Sequence, residues 1–172
     1  MGIEIERKFL LMGTGWREGS RGTPCRQGYL AVGPPVAVRV RLMGGKGMLN
    51  VKRATASISR DEFEYEIPVS DAEELLDGLC VGHIIEKTRH KVVYGGLTWE
   101  IDEFGGANEG LIVAEVELEE EGQRFNTPPS AGEEVSQDVR YFNSNLTQHP
   151  YSEWDDSVPG EMCSYMESEQ DV

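Results

Sequence analysis

Cysteine is scarce: Cys25, Cys80 and Cys163 are all that 172 residues contain. An odd number at wide spacings fits neither a disulfide framework nor a zinc site, so reduced thiols are expected. No apolar run approaches the roughly 18 residues a membrane helix needs. The N-terminus lacks the basic and apolar regions of an export signal, so a cytoplasmic protein is expected. Histidine is also rare, and His83, His90 and His149 lack metal-ligand spacing, which makes them expected bystanders. Positive charge is short too, with 16 basic against 31 acidic side chains and a net charge of −15. No basic residue follows Arg140, and with the acids of residues 150–172 set aside the first 149 residues still carry −8. Such a field disfavours nucleic acid and anionic membranes, which require clustered surface Lys and Arg. An anionic ligand would need a local basic site.

What the sequence has in abundance is alternation of apolar and polar residues at period two, the mark of strands with one face of each kind. Strands are predicted over 3–11, 25–32, 36–43, 47–53, 60–68, 85–94, 97–104 and 111–120, joined by turns such as Gly44-Gly45 and Gly95-Gly96. The fold is therefore mainly β (α+β), and eight antiparallel strands suffice to close a barrel. A helix is predicted after Ser70, where Ser70 and Glu73 form a capping box ahead of Leu75 and Leu76. A second is predicted from near Ser130 through Tyr141. The glycine-rich stretch 12–24 reads as a mobile loop that moves on ligand binding. Residues 1–150 read as one domain and 151–172 as an acidic, flexible tail.

Residues two apart on a strand share a face and stand roughly 6.6 Å apart. Glu4, Glu6 and Lys8 share one face of the first strand, with Ile3, Ile5 and Phe9 opposite. Arg39 pairs in this way with Arg41, Glu62 with Glu64 and Glu66, Lys87 with Arg89 and Lys91, Glu100 with Asp102, and Glu115 with Glu117 and Glu119. Lys52 sits opposite Val51. Solvated sheet faces are the plain alternative, but they usually mix Lys with Glu, whereas these strands are segregated by sign. Like charges this close repel each other. If the charged faces line a closed barrel, the cationic strands neutralise phosphate oxygens and the carboxylate strands collect divalent cations. Arg supplies a fork matched to phosphate, Lys a compact charge, and paired carboxylates hard oxygens for Mg²⁺ or Mn²⁺. Glu66, Lys91, Glu100 and Glu119 lie nearer strand ends and are expected in solvent.

The order of these features resembles the CYTH superfamily, the triphosphate tunnel metalloenzymes. Glu4-x-Glu6-x-Lys8 looks like the family's ExExK signature, followed by Gln27-Gly28-Tyr29-Leu30, Arg39-Val40-Arg41, Lys52, Glu62 through Pro68, Glu86 through Arg89, Asp102 and Glu115-Val116-Glu117. The stretch from Glu134 to Leu146 is similar to the family's closing helical segment. The resemblance implies an eight-stranded antiparallel tunnel that hydrolyses a triphosphate with Mg²⁺, Mn²⁺ being the alternative metal. It implies that Lys8, Arg39, Arg41, Lys52, Lys87 and Arg89 hold phosphates, and that Glu4, Glu6, Glu62, Glu64, Asp102, Glu115 and Glu117 bind or support metal. Glu4, Glu6, Lys8 and Glu117 become catalytic candidates, with Tyr29 of second rank because a packed structural tyrosine suits that position equally. The compact bacterial members act on inorganic triphosphate, which makes that the expected substrate, with no nucleic-acid or membrane partner and a homodimer left open. Adenylate cyclases, organic triphosphatases and a non-catalytic polyphosphate-binding module are the rival readings.

Overall fold

The computed structural model describes residues 2–53 and 59–154, so Cys163 and all of the expected tail beyond Trp154 lie outside the described residues. The order is β1 (Gly2–Leu11), β2 (Thr23–Ala31), β3 (Val36–Met43), β4 (Lys46–Arg53), β5 (Ser59–Ile67), α1 (Val69–Gly78), β6 (Val81–Tyr94), β7 (Leu97–Phe104), β8 (Ile112–Glu117), β9 (Ala131–Glu134) and α2 (Asn143–Leu146). Short 3-10 turns occupy Gly15–Arg17, Gly106–Asn108, Val139–Tyr141 and Tyr151–Glu153. The hairpins β3–β4 and β6–β7 turn on Gly44-Gly45 and Gly95-Gly96. All four of these glycines take positive φ, between 59° and 82°, as the tight two-residue hairpin turn demands.

The strands run in the order β5-β4-β3-β2-β6-β7-β8-β1-β9, and β5 also pairs with β1, so eight strands close into an antiparallel ring. The central strand of this closure is β1. Its Ile5 carbonyl accepts from Leu118 beyond β8, whereas the Lys8 carbonyl accepts from Val135 beyond β9. Alternate residues of a strand bond to opposite edges, so β8 takes one edge of β1 while β5 and β9 share the other.

With the ring interior charged, the apolar residues pack mainly outside it. One layer gathers Ile5, Phe9, Trp99, Ile101, Ala114 and Val116 on the outer face of β1, β7 and β8, under Trp16 and Phe125. A second layer sets Ala72 and Leu76 of α1 against Val40, Leu42 and Leu49. A third forms on the inner face toward one end. There Leu10, Ile85, Phe104 and Val113 each stand two residues from an interior charge and pack with Leu146, Tyr141 and Trp154 of the C-terminal segment.

Three expectations are corrected. The stretch 12–24 is not an irregular loop throughout: Trp16 is buried in the outer layer, Arg17 pairs with Glu103, and residues from Thr23 onward are β2. The capping box is absent, because Pro68 occupies the N-cap of α1, no side chain caps there, and the Ser70 hydroxyl turns to Asp71. The chain leaves β5 extended, and the fixed φ of Pro68 starts the helix before Ser70 can serve as cap. The predicted helix 130–141 is instead β9 followed by a 3-10 turn, with the only α-helical turn of this region at Asn143–Leu146. Gly132 disfavours a helix, and the stretch of β1 beyond β5 offers unpaired backbone groups that 131–135 satisfy as a strand.

Candidate active site

The inward row of each strand builds a cavity of about 910 Å³ lined by Glu4, Glu6, Lys8, Tyr29, Arg39, Arg41, Lys52, Glu62, Glu64, Arg89, Glu100, Glu115 and Glu117. The register explains the convergence. Lys8 faces Glu115 across the β1–β8 pair and Glu6 faces Glu117. Arg39 faces Tyr29 on β2 and Asn50 on β4, Asn50 faces Glu64 on β5, and Lys52 faces Glu62. Side chains directly opposite in an antiparallel pair project to one face, so the period-two charge pattern becomes a single charged lining.

Two regions differ in how their charges are balanced. In the first, Arg89 donates to both oxygens of Asp102, at 2.7 and 2.6 Å, and also to Glu100 and Glu115, while Lys87 bonds Asp102 at 2.5 Å. Burial disfavours the charge on Arg89, yet its three carboxylate partners outweigh it and raise the pKa. Lys8 behaves alike: burial is outweighed by Glu115 and Glu6. Glu115 is held well below the usual carboxylate range, because Lys8, Arg89 and Lys87 overcome the cost of its burial. This is a tightly satisfied floor.

In the second region the arginine pairs are looser. Lys52 bonds Glu4 at 2.6 Å and lies 3.3 Å from Glu62, Arg41 lies 3.3 Å from Glu64, and Arg39 lies 3.9 Å from Glu62. Burial and the neighbouring Arg39 and Arg89 lower the pKa of Arg41, whereas at Arg39 burial is outweighed by Tyr29, Glu4 and Glu62, so a positive surplus is confined to Arg41. Across the cavity the surplus is negative. Glu117 has no basic group within ion-pair distance among the described residues, and burial together with Glu4, Glu62, Glu100 and Glu6 pushes its carboxyl up. Carboxylates crowded around Glu117, beside guanidinium groups held only by longer contacts, are donor types that could take a metal–polyphosphate pair. Among the described residues no group of three acids, histidines or cysteines is already gathered at metal-ligating distances.

Of the residues singled out from sequence, Lys87 and Asp102 do not line the main cavity. They form a buried pair beneath its floor, with Lys87 Nζ 5.5 Å from the centre of the Phe104 ring and burial lowering the Lys87 pKa. Glu100, expected in solvent, is in the wall and binds Arg89, and Lys91 lines the mouth beside it at 3.0 Å. Glu66 is exposed near Lys46, and Glu119 is exposed, as expected. Tyr29 is buried in the wall opposite Arg39. His90 is on the outer face, where its Nδ1 lies 3.0 Å from the Ser20 hydroxyl and Trp16 packs edge-on against its ring. Cys25 is buried and its thiol is pushed up by burial.

Sequence reasoning missed the neutral interior residues. Gln27 and Asn50 are fully buried on the inward face, each with amide atoms lacking a hydrogen-bond partner among the described residues. Their place in the alternation, two from Tyr29 and two from Lys52, was the available signal. Asn143, Ser144 and Phe142 of the C-terminal segment and Val32, Gly33 and Pro34 of the β2–β3 turn complete the lining, and nothing local in the sequence announces them.

Comparison with known proteins agrees with this geometry. The CYTH domain family matches residues 2–151. An inorganic triphosphatase of Acetivibrio thermocellus is 48% identical over 151 residues, covering 88% of this chain and 97% of that protein. An inorganic triphosphatase of Nitrosomonas europaea is 36% identical over 148 residues, covering 83% of this chain and 95% of that protein. A crystal structure of an inorganic triphosphatase superposes with a TM-score of 0.61 at 34% identity, covering 91% of this chain and 100% of its own.

Proposed function

The chain belongs to the CYTH domain family, and from that premise we propose that it hydrolyses inorganic triphosphate to pyrophosphate and phosphate with Mg²⁺ or Mn²⁺ as cofactor. The observation that carries this reading is the segregated charge of one closed cavity, with Arg39, Arg41 and Lys52 facing carboxylates that exceed their own counter-ions near Glu117. A plain anion-binding module needs the basic groups and gains nothing from that acidic surplus. Free thiols at Cys25 and Cys80 suit a reducing cytoplasmic setting.

The metal would be held by Glu4, Glu6, Glu62, Glu64 and Glu117, and when bound it neutralises phosphate oxygens and lowers the pKa of water. The chain's own part is largely positioning. Arg39 and Arg41 are loosely paired, so they can exchange a carboxylate for a phosphate oxygen at small cost, while Lys52 stays bonded to Glu4 beside them. Arg89 is locked by Asp102, Glu100 and Glu115, so it acts as a fixed positive wall that also aims Glu115 at Lys8. Donors fixed on strands need no rearrangement as charge develops on the transferred phosphoryl group.

The test is phosphate release from inorganic triphosphate, ATP and thiamine triphosphate in parallel, with Mg²⁺, with Mn²⁺ and with chelator. Inorganic triphosphate should be cleaved fastest, and chelation should abolish turnover. Glu4→Gln should cut kcat on the order of 10²-fold with a smaller effect on KM, whereas Arg41→Ala should impair both. Full metal-dependent activity in Glu4→Gln defeats the assignment. An organic triphosphatase or adenylate cyclase is the second reading, favoured by the apolar lip that Val32, Pro34 and Phe142 give the cavity. Preference for ATP or thiamine triphosphate in the same assay would select it.

A further inference from the structure

A neutral side chain stands at the centre of the acidic row. Asn50 is fully buried on β4, between Arg39 of β3 and Glu64 of β5 in the cross-strand register. Its amide nitrogen donates to Glu62 at 2.8 Å and to Glu64 at 2.5 Å, so one NH₂ group ties two like-charged carboxylates together. Its carbonyl oxygen is buried without a hydrogen-bond partner among the described residues, an arrangement that folding alone does not explain. The basic partners of these carboxylates among the described residues are Lys52, Arg39 and Arg41, the very groups a triphosphate would draw away.

We propose that Asn50 is a positioning residue that keeps Glu62 and Glu64 aimed at one divalent cation while their basic partners transfer to phosphate. The chemistry of the side chain suits that task. A primary amide has two N–H donors on one atom and can hold an oxygen from each of two carboxylates, which a hydroxyl cannot. A lysine would hold both as well, but its charge would cancel the attraction for the cation. Asn50 restrains the pair and leaves its negative charge intact. The inference rests on the triphosphatase reading for its catalytic consequence, but its core claim concerns cation binding and is measurable without turnover.

The experiment titrates Mn²⁺ alone into the full chain and into Asn50→Leu and Asn50→Thr, following free Mn²⁺ by electron paramagnetic resonance. Steady-state kinetics with inorganic triphosphate and circular dichroism run alongside. Asn50→Leu, of similar shape without donors, should weaken Mn²⁺ binding about tenfold or more, as loss of a residue supporting metal ligands generally does. Its kcat should fall while KM for triphosphate moves much less. Asn50→Thr, with one hydroxyl donor, should lie between, and it carries the test if the leucine variant fails to fold. Wild-type Mn²⁺ affinity in the folded variants, or no Mn²⁺ binding by the wild-type chain, overturns the inference. Weakened Mn²⁺ binding in a chain that leaves triphosphate uncleaved would instead uphold the positioning role and reject the triphosphatase reading.

Discussion

Glu117 and Glu115 stand two residues apart on β8 and face the same cavity, yet their surroundings push them in opposite directions. Glu115 is depressed, so the stability it contributes is present above the ordinary carboxylate pKa and is lost only as pH falls through its lowered folded value. Glu117 is raised by burial and by Glu4, Glu62, Glu100 and Glu6, so its ionisation weighs on the fold. The stability lost through Glu117 appears as pH rises from the ordinary carboxylate range through its raised folded value. Glu117→Gln should therefore raise the melting temperature at neutral pH, and the gain should vanish in acid where both side chains are neutral. The same variant should lose turnover on the order of 10²-fold, because the surplus charge it removes is what the proposed cation would need. A melting temperature lowered at neutral pH would show that the negative surplus at Glu117 was misjudged.

At the scale of elements, position in the ring decides what each segment can do. The stretch 12–22 sits on the outer face of the barrel through Trp16 and the Arg17–Glu103 pair, remote from the charged interior. Trp16→Ala should cost about 3–5 kcal/mol of stability, typical of truncating a buried tryptophan. Activity per folded molecule should stay at the wild-type level, as checked by urea denaturation beside a triphosphatase assay at low temperature. A large fall in kcat without loss of stability would instead support a loop that moves on ligand binding. The C-terminal segment has the opposite placement: Leu146 plugs the apolar end of the interior while Phe142, Asn143 and Ser144 reach into the cavity.

At the scale of the whole molecule, the protein inverts the usual arrangement by placing charge inside the ring and much of its apolar core outside. Desolvating so many ions would cost several kcal/mol each, so the cavity must stay wet, and its unbalanced regions weaken the fold. Inorganic triphosphate with Mg²⁺ at a hundred times its Kd should add about 2.7 kcal/mol, raising the melting temperature by roughly 5–10 °C. Thermal melts with the metal, the triphosphate and both together test this, and strictly additive small shifts would argue against one shared site. Much of this was legible in the chain. Period-two alternation determined the strands and told inward charge from outward apolar groups, because a pleated strand leaves a side chain only two directions. The Gly-Gly pairs likewise marked two hairpins, since only glycine takes such turns without strain. Tertiary structure alone decided the depth of each charge along the tunnel: Lys87 and Asp102, expected at the ligand, are buried beneath the floor, while Glu100, expected in solvent, lines the cavity with Arg89. It also made a strand of 131–134, because the neighbouring edge of β1 supplied partners that no local propensity encodes. Asn50 became a link between Glu62 and Glu64 only when three strands aligned, since a cross-strand hydrogen bond depends on register, which a single strand does not contain.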